Sequence, residues 1–167
     1  MNRISSELRK VARRLRAMKL FGDNVRIKDI KKVINVCASI ANSIQAIRKR
    51  FTKHRKHEGI VKLRENANLL LDMVDWMDEN QMFTPNQIST FFGVAAGSKR
   101  LMYDLGWRSR KNRKLYKLLK SVVKDIDDML RGLAALLEDM FEEQEGSKER
   151  KRKTASRVAR VLSAIHQ

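Results

Sequence analysis

The residues able to do chemistry are few and poorly grouped. Residues 93–99 read Gly-Val-Ala-Ala-Gly-Ser-Lys, the composition of a phosphate-cradling loop. The spacing is one residue short of G-x-x-x-x-G-K-[ST], the Ser precedes the Lys, and no strand-like run leads into it. His54 and His57 stand three apart at a helix end and could share a metal, but the Arg and Lys around them repel a cation. Asp125 and Asp128, and Asp139 and Glu142, fall at i,i+3. A di-metal carboxylate site needs Glu-x-x-His pairs on facing helices, and no His accompanies these acids. The single cysteine, Cys37, excludes an internal disulfide framework and a cysteine-based zinc site, and on an apolar stripe it reads as a core thiol. No nucleophile–base pair is found. The expectation is therefore no catalytic residue, no metal and no cofactor: a protein that is not an enzyme.

The chemistry that remains is charge. The chain of 167 residues carries 37 Lys and Arg against 19 Asp and Glu, a net charge of +18. Self-repulsion at that level destabilises a compact monomer and calls for a polyanion, nucleic acid first and an anionic membrane surface next. The charge is blocked. Residues 1–57 hold 17 bases against three acids, residues 96–120 nine against one, and residues 146–167 seven against one. Residues 125–145 reverse the sign, eight acids opposing Arg131 alone, so copies of the chain could pair head to tail.

The elements that must position these charges are helices. One Pro and seven Gly leave long helices free to form, and 43% hydrophobic residues allow a core. Apolar residues at alternating steps of four and three mark helices over about 3–20, 27–54, 60–79 and 111–141. In the first, Arg13, Arg14 and Arg16 occupy the faces left by Leu8, Val11 and Leu15. Asp23 or Asn24 is placed to cap the second. Part of the basic run at its end, Arg48-Lys49-Arg50, has a plain reading as a complement to the helix dipole. Trp76 in the third reads as core, and the exposed part of its C-terminal half is acidic. The fourth keeps its alternation from Leu115 to Met140, about 45 Å of helix, which invites a partner helix from another copy. Gln144-Glu145-Gly146-Ser147 breaks the pattern, and 146–167 reads as a separate basic helix or arm. The expected domains are thus 1–145, a single helical domain, and 146–167. No run reaches the roughly 18–20 apolar residues of a membrane span, and the charged N-terminus argues against export by a signal peptide.

The stretch from Thr84 to Lys117 differs in kind. Thr84 and Pro85 open a helix well, Ile88, Phe91 and Phe92 give it an apolar face, and Gly93 supplies a left-handed residue to end it. Ser98 then caps a second short helix with Leu101, Met102 and Leu105 inward and Lys99, Arg100 and Tyr103 outward. Two short helices joined by a glycine turn resemble the helix-turn-helix superfamily over residues 84–107, with QISTFFGV as the supporting helix and SKRLMYDLGW as the candidate recognition helix. The resemblance implies that Lys99, Arg100 and Tyr103 approach base edges. Arg108, Arg110, Lys111, Arg113 and Lys114 follow at once and suit phosphates, and Trp107 could stack on a base.

The expectation is an all-α bundle of five to six helices with a central helix-turn-helix-like hairpin and one long helix in its C-terminal half. Its expected work is nucleic-acid binding, to double-stranded DNA ahead of RNA, mainly through phosphates, with regulator, packaging and coat roles all open. The nucleic-acid residues are Lys99, Arg100, Tyr103, Arg108, Arg110, Lys111, Arg113 and Lys114, with Arg13, Arg14 and Arg16 on another helix. A homo-oligomer through the 111–141 helix is expected, in an intracellular (cytoplasm, nucleoid or nucleus) or virion-associated setting. The alternative is a membrane-surface or matrix-like assembly protein meeting anionic lipid. Lipid binding would need bulky apolar groups beside an exposed basic face, and the apolar residues are expected in the core.

Overall fold

In the computed structural model the described residues are 6, 9–11, 13–14, 25–51 and 57–165, without the side chains of 144, 145 and 147–151. They form an all-α bundle of α1 (Ile27–Arg50), α2 (Glu58–Asn80), α3 (Pro85–Arg108) and α4 (Arg113–Ile165). Each helix packs along the next, α4 closes the ring against α1, and α1 and α3 lie across the diagonal. The links between α2, α3 and α4 are short enough to force antiparallel neighbours. Residues 6, 9–11 and 13–14 are helical as well, and Val11 joins the core.

The core is the sum of the apolar stripes. Val33, Ile34, Cys37, Ile40, Ala41, Ile44 and Ile47 of α1 meet Leu63, Ala67, Leu70 and Met77 of α2 and a matching row on α4 from Leu119 to Phe141. Caps set the ends. His57 Nδ1 accepts the Gly59 N–H at 3.2 Å and opens α2. Gln81 ends it in the left-handed region, φ 49°, with Met82 N–H reaching back to the Met77 carbonyl at 3.3 Å. Thr84 caps α3 with Pro85 in the first turn, as the sequence predicts, and Gln87 completes a reciprocal capping box with Thr84 at 3.1 and 2.8 Å. The start of α1 differs: Arg26 occupies the N-cap with no side-chain cap, and Asp23 and Asn24 lie outside the described residues.

Two predicted breaks are not made. The segment expected to fold as a helix-turn-helix hairpin is a single helix of 24 residues. Its buried stripe, Ile88, Phe91, Phe92, Ala95, Ser98, Met102 and Leu105, runs straight through Gly93. That packing outweighs the cost of a mid-helix glycine, about 1 kcal/mol. Ser98 caps nothing: its hydroxyl donates to the Val94 carbonyl at 2.8 Å inside the helix. Nor does the chain break at 144–147. Helix α4 continues through Gly146 to a length of 53 residues, about 80 Å. Its apolar row from Leu119 to Phe141 is spent on its own bundle. It therefore leaves no broad apolar face for a second chain along 111–141, which removes the basis for the expected dimer seam there.

Candidate nucleic-acid interface

The end of α3, the turn Ser109–Asn112 and the start of α4 form one corner of the bundle. Arg100, Tyr103 and Trp107 recur at three and four residues along the outer face of α3. Tyr103 is 66% exposed and Trp107 57%, unusual for side chains whose rings gain so much from burial. The Arg110 guanidinium lies 4.8 Å from the centre of the Trp107 ring and donates to the Trp107 carbonyl at 3.0 Å. Arg108 is exposed, with Nη1 3.3 Å from His57 Nε2. Lys111, Arg113, Lys114 and Lys117 are exposed around the turn, and within residues 99–120 Asp104 is the only acid. A shallow cleft of about 560 Å³ adjoins this corner, with His57, Lys62, Asp104 and Arg108 in its walls.

The helix ends sort these charges. Arg108 and Arg110 sit at the C-terminus of α3, where a cation complements the free carbonyls. Arg113 and Lys114 have no such use. They occupy the first turn of α4, which contains no acid, and so add positive charge to the positive end of the helix dipole. The N-terminus is held by a neutral cap, Asn112 Oδ1 accepting the Leu115 N–H at 3.3 Å. Cations stacked on a helix N-terminus are a place where an external anion gains from side chains and backbone together.

Not every residue expected at the interface is there. Lys99 points inward, its Nζ 2.7 Å from Asp127 Oδ1, and is not available to a base edge. Arg14 is fastened to α4, Nη1 3.6 Å from Glu138 Oε2 and the guanidinium 4.9 Å from the Phe141 ring centre. Arg26 and Glu143 pair at 3.1 Å. The acidic block of α4 thus serves as counter-charge to bases elsewhere in the chain. Arg13 is exposed, and Arg16, like His54, lies outside the described residues.

Two features were missed in the sequence. Trp76, expected in the core, is 39% exposed, and with Leu69 at 44% it marks a second stripe on α2. The spacing of Glu65, Leu69, Asp72, Trp76 and Glu79, again four and three, was the available signal. Beyond Phe141, the described side chains of Arg152–Ile165 are all exposed, including Val158, Val161, Leu162 and Ile165. No helix among the described residues is long and apolar enough to cross a membrane. Compared with known proteins, the chain matches no family model, no curated protein and no solved structure.

Proposed function

We propose that this is a non-enzymatic nucleic-acid-binding protein that grips phosphates at the α3–α4 corner, with duplex DNA the first substrate to test. The observation that carries the reading is the placement of Arg113 and Lys114 on the acid-free N-terminus of α4, beside the exposed rings of Tyr103 and Trp107. Arg100, Arg108, Arg110 and Lys111 extend the same cationic surface. Phosphates bind such a surface without regard to sequence, and exposed rings add stacking wherever bases are unpaired. With α3 continuous, no separate recognition helix supports sequence reading, so a packaging or coating role fits better than a regulatory one. The test is binding of duplex DNA, single-stranded DNA, RNA and anionic vesicles at matched salt. Nucleic-acid affinity that falls steeply with salt and drops on charge reversal of Arg113 and Lys114 supports the reading. Binding to vesicles alone sinks it.

A second reading has its own observation. The apolar residues of the C-terminal end of α4 are not spent on the core, and Arg152, Lys153, Arg157 and Arg160 surround them. A basic amphipathic helix of that kind suits an anionic membrane surface.

A further inference from the structure

The end of α4 and the outer face of α2 are complementary surfaces exposed on the same molecule. Along α4, Val158, Val161, Leu162 and Ile165 are 52–70% exposed and fall on one side, with Arg152, Lys153, Arg157 and Arg160 over the rest. On α2, Leu69 and Trp76 alternate with Glu65, Asp72 and Glu79 along the face turned away from the core, and Asp75 and Asp78 flank them. Among the described residues, Asp72, Asp75 and Glu79 form no ion pair, whereas Glu65 pairs with Lys62 at 3.8 Å. The setting makes this face exceptional. The chain has 37 Lys and Arg, yet none falls between Arg64 and Lys99.

We propose that Arg152–Ile165 of one copy docks on the Glu65–Leu69–Asp72–Trp76–Glu79 stripe of a second copy. Apolar residues seven apart meet apolar residues seven apart: Val158 and Ile165 on the arm, Leu69 and Trp76 on the stripe. Arg152, Arg157 and Arg160 then border Asp72, Asp75 and Glu79, which form no ion pair among the described residues. The occupant is a second copy rather than a lipid surface because the acids of α2 repel anionic lipid and attract this helix. It is not the same copy, because α4 runs on as one helix past the bundle and its end lies exposed there. Two different surfaces meeting make a heterologous contact, which propagates into a ring or a filament. The proposal goes beyond nucleic-acid binding and does not depend on it.

The experiment is sedimentation of the full chain without nucleic acid at tens of micromolar. Wild type self-associates, as a dimer where two copies exchange arms reciprocally and as a larger ring or filament otherwise. L162K on the arm and W76K on the stripe, both at exposed positions, each lower the association constant by about tenfold or more. Mixing the two variants restores a one-to-one dimer, since one keeps an intact stripe and the other an intact arm; recovery also shows that both are folded. R157E and D72R, each dissociated alone, likewise recover when mixed. A monomeric wild type overturns the proposal, whether or not the arm binds vesicles of anionic lipid. So does a W76K variant that assembles like wild type, because the arms then pair with each other.

Discussion

Lys99 Nζ lies 2.7 Å from Asp127 Oδ1, with the two side chains only 20% and 23% exposed, so a lysine on a basic surface segment is a clamp between α3 and α4. Fully exposed pairs contribute little and fully buried ones break at high cost; this pair lies between. Lys99→Ala is expected to lower stability by about 1–2 kcal/mol. Asp127→Ala should cost a similar amount, and the double change less than the sum. Urea denaturation of the three variants measures the cycle. DNA affinity of folded Lys99→Ala should stay near wild type, and a large loss of affinity would return Lys99 to the interface.

The corner residues carry a different signature. Contact with roughly six phosphates gives a log–log salt slope near −5, and removing one phosphate-holding base lowers it by about one. Arg113→Ala and Lys114→Ala should each do so without changing preference among sequences. Titrations of a fixed duplex at several salt concentrations check it, and a wild-type slope near zero discards phosphate binding.

Trp107 and Tyr103 separate strands from duplex. Their exposed rings can stack on a base only where the base is unpaired. Trp107→Ala should weaken single-strand binding by about 1–3 kcal/mol and duplex binding much less. Equal losses on both would assign the ring to packing against Arg110 instead.

Gly93 and Gly97 test the continuity of α3. A Cβ at either position meets nothing within 4 Å, and neither has a left-handed backbone. Gly93→Ala and Gly97→Ala are each expected to raise stability by about 0.5–1 kcal/mol. A turn residue with positive φ would respond in the opposite direction, so thermal or urea unfolding decides between one helix and two.

Burial pushes the Cys37 thiol from 9.0 up to about 12. The native protein should therefore resist alkylation at pH 9 and react once denatured, as mass spectrometry with a thiol reagent would show. The same shift sets a direction with pH. Above pH 9 the unfolded chain loses this proton while the folded chain keeps it, so the contribution of Cys37 to stability falls as pH rises from 9 toward 12. Rapid native labelling at pH 9 would mean that α1 opens readily.

What the sequence could show follows from the range of each interaction. The four–three stripes of α1, α2 and α4 and the Thr84–Pro85 start are local patterns, and they were legible. Gly93 and Ser98 misled for the same reason: their local preferences favour a break, but Phe92, Ala95 and Met102 bury on both sides of them and keep the helix unbroken. The partner of Lys99 is on another helix, 28 residues away, where no spacing rule reaches. The row from Leu119 to Phe141 is apolar whether its partners are its own chain or another. Only the packing of α1 and α3 against it decides that. At the corner, the bases were readable individually, but not which of them sit at which helix end.

Because α4 passes through Gly146 without a break, the bearing of its far end is geared to the bundle. Each residue inserted near 146 rotates everything beyond it by about 100° and advances it by about 1.5 Å. Two insertions would swing Val158 and Leu162 to nearly the opposite side, about 200° away. Seven would bring them back to within about 20° of their original direction, farther out by roughly 10 Å. The helix is thus a shaft with a phase, in which the length between its anchored part and its free end sets an angle as well as a distance.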